Sequence, residues 1–231
     1  MQLLSKNNNK ILKGEKIGIM TWGLSLVPNI LNGKINLCPF ASDGCIEVCL
    51  ETAGRGVFKN VREARMNRTM FFVDNLKEFI AQLETEICAA LKSAKRAGMK
   101  CAIRLNVLSD VGWHKFIDFA KWPEIQFYDY TPNTPRMIQF LRGKLPSNYH
   151  LTFSRKENNQ AAVETIAAMG GNVAVVFDEL PNTYLGKTVV NGDETDVRFL
   201  DGKNVIVGLK AKGKGRKDSS GFVVKSKLVN A

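Results

Sequence analysis

Short apolar runs alternating with helical segments constrain this chain more than any other feature. CAIRLN (101–106), IQFYDY (125–130), YHLTFS (149–154), NVAVVF (172–177) and NVIVGL (204–209) are each strand-length. Helical patterns separate the first four, near 111–120, 134–142 and 157–169, the last ending at Gly170-Gly171. A strand that leads into a helix returns to the sheet parallel to its predecessor, so the repeat predicts a parallel sheet with helical crossovers. Runs such as NVAVVF, apolar on both alternations, suit strands buried on two faces. Upstream, IGIMTWGLSL (17–26) reads as a first strand. Two helices follow, over 57–72 and 74–97. In the second, Leu76, Phe79, Ile80, Leu83, Ile87, Ala90 and Leu91 recur at spacings of three and four. The expected fold is α/β, a partial or open (βα) barrel of about six mostly parallel strands with an N-terminal cysteine loop. A doubly wound sheet is the alternative. No G-x-G-x-x-G follows an early strand and no Walker A sequence occurs, so neither of those nucleotide sites is expected.

Residues 1–16, polar and basic, read as a flexible N-terminal arm, and 17–231 as one α/β domain. The first sixteen residues lack an apolar h-region, and no apolar run approaches the ~20 residues of a membrane span. A cytoplasmic, reducing location with no membrane partner is therefore expected. Residues 178–203 form a long polar excursion before the last strand. The formal net charge of +11 points to nucleic acid or a phosphorylated small molecule as partner. Because Lys and Arg are spread along the chain, a solubilising surface is the competing reading. Arg62, Arg65 and Arg68, at spacings of three, share one helical face. The segment from Lys210 to Gly221 gathers Lys210, Lys212, Lys214, Arg216 and Lys217 among glycines that let backbone amides approach a phosphate. Lys212, Lys214, Arg216 and Lys217 are its candidate phosphate ligands.

Five cysteines are too few, and too odd in number, for a disulfide scaffold. Three of them, Cys38, Cys45 and Cys49, follow C-x6-C-x3-C in a Pro/Gly-rich loop after the first strand. Thiolates favour soft metals, and a loop lets three sulfurs converge. A structural zinc site closes with four ligands and often carries C-x2-C, which is absent here. Three cysteines fit a [4Fe–4S] cluster with one iron open to a substrate or cofactor. Zinc, with His114 or His150 brought in by folding, is one alternative, and three plain thiols packed in a loop are the other. Cys88 and Cys101 read as structural.

In parallel α/β folds ligands gather at the carboxyl ends of the strands. Those ends are polar here. Arg104, Asn106, Ser109 and Asp110 follow the second strand, and Tyr128 and Asp129 close the third. Ser154, Arg155, Glu157, Asn158 and Asn159 follow the fourth, and Lys210 the last. One pocket is expected to unite Arg104, Asn106, Ser109, Asp110, Tyr128, Asp129, Ser154, Arg155, Asn158 and Lys210 with the cysteine loop, with Asp110 or Asp129 pairing Arg104. Helix capping by Ser109, Asp110 or Ser154 is the plainer alternative.

The string GLSLVPNILNGKINLCPFASDGCIEVCLETAGRG (23–56), with IRLNVLSDVGW, FYDYTPNTP, LTFSRKENN, GGNVAVVF and NVIVGLKAKGKGRKD, resembles a family of uncharacterised bacteriophage proteins. The likeness runs from about Gly18 to Val224 and implies a phage origin, hence the cytoplasm of a host cell. More distantly, three cysteines after a first strand of βα units are similar to the radical S-adenosylmethionine superfamily. That resemblance implies a [4Fe–4S] cluster in a partial barrel, with S-adenosylmethionine on the open iron and radical chemistry on a nucleotide or nucleic acid. The superfamily's C-x3-C-x2-C spacing, its aromatic before the last cysteine (Val48 here) and its Gly-Gly-Glu after the second strand are all absent. A non-enzymatic nucleic-acid-binding or host-interaction protein with a zinc-stapled loop is the contrasting reading.

Overall fold

The computed structural model describes residues 1–6, 9–31 and 35–228. In chain order its strands are β1 (Leu4–Ser5), β2 (Ile19–Leu24), β3 (Ile30–Leu31), β4 (Ile35–Asn36), β5 (Lys100–Arg104) and β6 (Ile125–Thr131). Then come β7 (Tyr149–Ser154), β8 (Val173–Phe177), β9 (Thr183–Tyr184), β10 (Lys187–Asn191) and β11 (Ile206–Lys210). The α-helices are α1 (Asn9–Leu12), α2 (Asp43–Glu47), α3 (Lys59–Asp74), α4 (Leu76–Arg96), α5 (Thr134–Leu141) and α6 (Gln160–Ala168).

Nine strands form one sheet in the order β1-β2-β5-β6-β7-β8-β11-β10-β9. From β2 to β10 every neighbouring pair is parallel. β1 and β9 are antiparallel edges. All six strands expected from the sequence are present, but the sheet is open and larger than expected. The excess comes from two places. The first residues do not hang free as an arm: Leu3 and Leu4 are buried, β1 pairs with β2, and the Leu3 and Leu4 amides donate to the Glu86 carboxylate on α4 at 2.7–3.0 Å. The polar excursion 178–203 contains β9 and β10, whose half-exposed residues carry no apolar run to announce a strand.

Alternation along each strand separates two faces. Met20, Trp22, Cys101, Ile103, Phe127, Leu151, Phe153, Val173 and Val175 face the helices and share one core with Phe79, Leu83 and Ile87 of α4 and Val163 and Ile166 of α6. Ile19, Ala102 and Tyr128 face the other way and pack on Val197 and Phe199 from the β10–β11 connection. The helix expected near 111–120 is reduced to two 3₁₀ turns, Trp113–Lys115 and Phe119–Lys121. Here the chain is held by side chains: Trp113, fully buried, donates its indole N–H to the Leu105 carbonyl and Asn106 Oδ1, both at 3.1 Å.

Travel across the sheet is in one direction from β2 to β8. The chain then steps past one vacant place, builds the β9–β10 hairpin, and returns to fill that place with β11. Leu180 and Val189 on the outward leg pack on the helical core. The return leg passes over the opposite face, as a right-handed crossover must when its direction reverses. That leg carries Asp196 onto Tyr128 and Arg104.

Candidate functional site

The cysteine loop rests on the carboxyl ends of β5 and β7. At β5, the Asp110 amide donates to the Leu37 carbonyl at 2.8 Å, and the Cys38 thiol donates to the Leu108 carbonyl at 3.3 Å. At β7, Lys156 Nζ donates to the Phe40 carbonyl at 2.6 Å, while Glu157 receives the Ser42 hydroxyl at 2.7 Å and the Gly44 amide at 2.9 Å. Ser42 also caps α2, accepting from the Cys45 amide at 3.4 Å. One carboxylate and one hydroxyl thus fix the turn that carries Cys45 and begins the path to Cys49. A third side comes from the C-terminal segment. A Cβ on Gly44 would lie 2.3 Å from Ser220 Oγ and 2.9 Å from the Glu157 carboxylate, so any larger residue there would have to displace them.

All three thiols are half-buried and uncrosslinked. Burial pushes Cys38 and Cys45 up to about 11, and Cys49 also upward. Each is close enough to raise the charge cost of another: Cys45 and Cys49 act on Cys38, and Cys49 on Cys45. Backbone N–H groups are turned toward two of the sulfurs, Asn29's toward Cys38 and those of Glu51 and Leu50 toward Cys49. Arg65, from α3, eases the charge of Cys49. Its Nε and one terminal nitrogen are buried without a hydrogen-bond partner. Among the described residues, no group of three or more His, Cys, Asp or Glu side chains is placed to hold a metal ion. Neither histidine joins the thiols: the His114 ring lies 6.3 Å from Tyr149, and that of His150 5.3 Å from Phe140.

The polar strand ends do not form one pocket. Arg104 points to the face away from the helices, where it stacks 4.6 Å over the Tyr130 ring and pairs with Asp196 at 3.0 Å. Tyr128 donates to the same carboxylate at 2.9 Å. Asp196, not Asp110 or Asp129, is the partner of Arg104. Asp129 follows Tyr128 directly and so faces the opposite side. There it receives the Asn106 amide at 2.7 Å, Asn106 Nδ2 at 3.0 Å and the Tyr149 hydroxyl at 2.9 Å. Burial pushes Asp129 up to about 7 despite these three donors.

Asn106 is the hub of the loop under Cys38. Its Oδ1 receives Ser109 Oγ at 2.8 Å, the Val111 amide at 2.9 Å and Trp113 Nε1 at 3.1 Å. Asp110 pairs with Arg136 of α5, which also reaches Thr131 Oγ1. Arg155 turns to the C-terminal segment, donating to the Gly221 and Phe222 carbonyls at 2.5 and 2.8 Å. The Ser154 carbonyl accepts from Asn159 at 3.0 Å, and Asn158 is exposed. Lys210, Lys212 and Arg216 line a separate cavity, and Lys214 and Lys217 are exposed outside it. Asn106, Ser109, Asp110 and Asp129 therefore support the cysteine loop from beneath, whereas Arg104 and Tyr128 belong to a second network on the other face.

The family described as Gene product 88 matches residues 2–226, nearly the whole chain. The chain belongs to this family. Gene product 88 is a family of uncharacterised phage proteins, which agrees with the resemblance carried by 23–56 and the strand-end strings. A search of the curated proteins and one of the solved structures found no match. No helix among the described residues is long and apolar enough to cross a membrane. Several residues that build the site gave no signal in the sequence. Asp196 and Arg136 lie outside any motif and meet their partners only through the fold. Glu157 and Arg65 were visible as a strand-end carboxylate and one member of an arginine stripe, without their roles.

Proposed function

We propose that this Gene product 88 chain is an iron–sulfur protein, with Cys38, Cys45 and Cys49 as ligands of a [4Fe–4S] cluster that leaves one iron open. The observation that carries the reading is the arrangement of the three thiols. They lie in one loop clamped to the carboxyl ends of β5 and β7 and feel one another's charge. The donor set points the same way. No histidine completes a four-ligand zinc site, and amide N–H groups aimed at cysteine sulfurs are one of the devices that tune iron–sulfur clusters.

Bound there, the cluster would supply an electron and a Lewis-acidic iron. The chain's own residues have separable tasks. Glu157 and Ser42 hold the turn carrying Cys45, and the Asn106–Asp129 network holds the loop beneath Cys38. Arg65 offers a cationic edge beside Cys49, suited to the negative charge of thiolates or of an anionic group on the open iron. Raised thiol pKa values mean that loading the site must release protons, so affinity should grow with pH. S-adenosylmethionine is the finer form of this reading and rests only on the distant resemblance.

The test is anaerobic reconstitution with iron and sulfide, followed by an optical spectrum. Cys38→Ala, Cys45→Ala and Cys49→Ala should each abolish the broad visible absorbance, while Cys88→Ala and Cys101→Ala retain it. Absorbance that survives loss of any two of the three loop cysteines rejects the assignment.

A further inference from the structure

Independently of the thiols, the reversal of winding in the sheet creates a second site. Flanking β11, the chain leaves β8 over the helical face and leaves β10 over the opposite face. In open α/β sheets, ligands bind in the crevice opened at the carboxyl ends where neighbouring connections part in this way. A cavity of about 460 Å3 occupies this place. Its lining comes from each element the topology brings there: Asp178 after β8, Asp193 after β10, Lys210 at the end of β11 with Ala211 and Lys212 after it, and Arg216 and Lys13 from nearer the two ends of the chain. The volume is that of an ordinary small-ligand site.

The charges on this wall are not balanced. Four cations, Lys13, Lys210, Lys212 and Arg216, face two carboxylates. Asp193 is already engaged, holding Lys212 Nζ at 2.7 Å and the Lys210 amide at 2.9 Å. Asp178 Oδ1 receives the Glu179 and Ser226 amides, both at 2.8 Å. Lys13 is oriented by the Asp193 carbonyl at 2.6 Å. Lys210 and Arg216 have no ion-pair partner among the described residues. Two uncommitted cations beside a third that is held in place make a polar, positively charged crevice with a fixed wall. Phosphate is the group that such a combination recognises, with lysines acting as point charges and arginine as a fork.

We infer that the crevice at the carboxyl end of β11 binds the phosphate of a small phosphorylated ligand through Lys210, Lys212 and Arg216, with Lys13 closing its N-terminal side. A cavity of this size admits a nucleotide-sized molecule rather than a length of duplex. Of the basic segment's last three cations, Arg216 lines the cavity, while Lys214 and Lys217 lie outside it.

Calorimetric titration of the full chain at low salt with inorganic pyrophosphate and with a nucleoside diphosphate tests this. Lys210→Gln/Arg216→Gln changes two exposed side chains and should weaken both ligands by about tenfold or more, since it removes two of the charges that would face the phosphate. The control Lys77→Gln/Lys92→Gln makes the same charge change on α4 and should leave affinity within about twofold. Three results overturn the inference. One is no pyrophosphate binding at low salt, and another is equal weakening by the two double variants. The third is binding of a single-stranded oligonucleotide without binding of pyrophosphate.

Discussion

Removing the Asp196 carboxylate should be among the most damaging single changes outside the helical core. Asp196 is 1% exposed and accepts from Arg104 at 3.0 and 3.2 Å and from Tyr128 at 2.9 Å. Asp196→Ala leaves the Arg104 guanidinium enclosed without its counter-charge, which costs about 3–5 kcal/mol. It also strands the Tyr128 hydroxyl, worth about 1–3 kcal/mol on its own. The two losses share one site and do not add fully, so about 4 kcal/mol is expected, a large part of the ~5–15 kcal/mol that holds a typical domain. Urea unfolding followed by the fluorescence of the buried Trp22, Trp113 and Trp122 measures this directly. The cause is separable from simple loss of packing. Arg104→Met/Asp196→Leu removes both charges, and it should be more stable than Asp196→Ala, because apolar replacements of a buried pair are often neutral or better. If Asp196→Ala costs less than about 1 kcal/mol, or if the double variant is no better than the single, the pair is not the organiser of this face.

Three further outcomes follow from the site. Asp129 is pushed up to about 7 by burial, against an ordinary value near 4, so the folded state binds the extra proton between them. Stability should fall as pH rises from about 4 to 7 and level off above, and Asp129→Asn should remove that part of the pH dependence in unfolding curves. Glu157→Ala should free the Ser42 hydroxyl and Gly44 amide, speeding hydrogen exchange across residues 42–49 while β6 and β7 keep their protection. Gly44→Ala should do the same through the clash with Ser220 and Glu157, at about 1–3 kcal/mol of stability.

Much of the architecture is legible in the sequence because parallel strands buried on two faces have to be apolar on both alternations. NVAVVF and NVIVGL show this, and α4 shows the matching period of three and four. What the sequence hides is of two kinds. β1 and β9 are two residues long and gain their form only by pairing with a neighbour, so no local propensity marks them. The partners of the polar strand ends come from distant segments: Asp196 lies 92 residues from Arg104, and Arg136 lies 26 from Asp110. Tyr128 and Asp129 are adjacent on a strand, so alternation alone forbids both from sharing a pocket with Arg104. The cysteine loop carried its own signal in its composition, but its clamp did not, since a glutamate after a strand is indistinguishable from a solvated one until Ser42 and Gly44 are seen to meet it.

Iron and acid-labile sulfide, measured per chain on anaerobically reconstituted protein alongside zinc, test the central claim most directly. The account predicts about four irons and four sulfides per chain, lost together when Cys38, Cys45 and Cys49 are all replaced by alanine. One zinc per chain with no iron would contradict it.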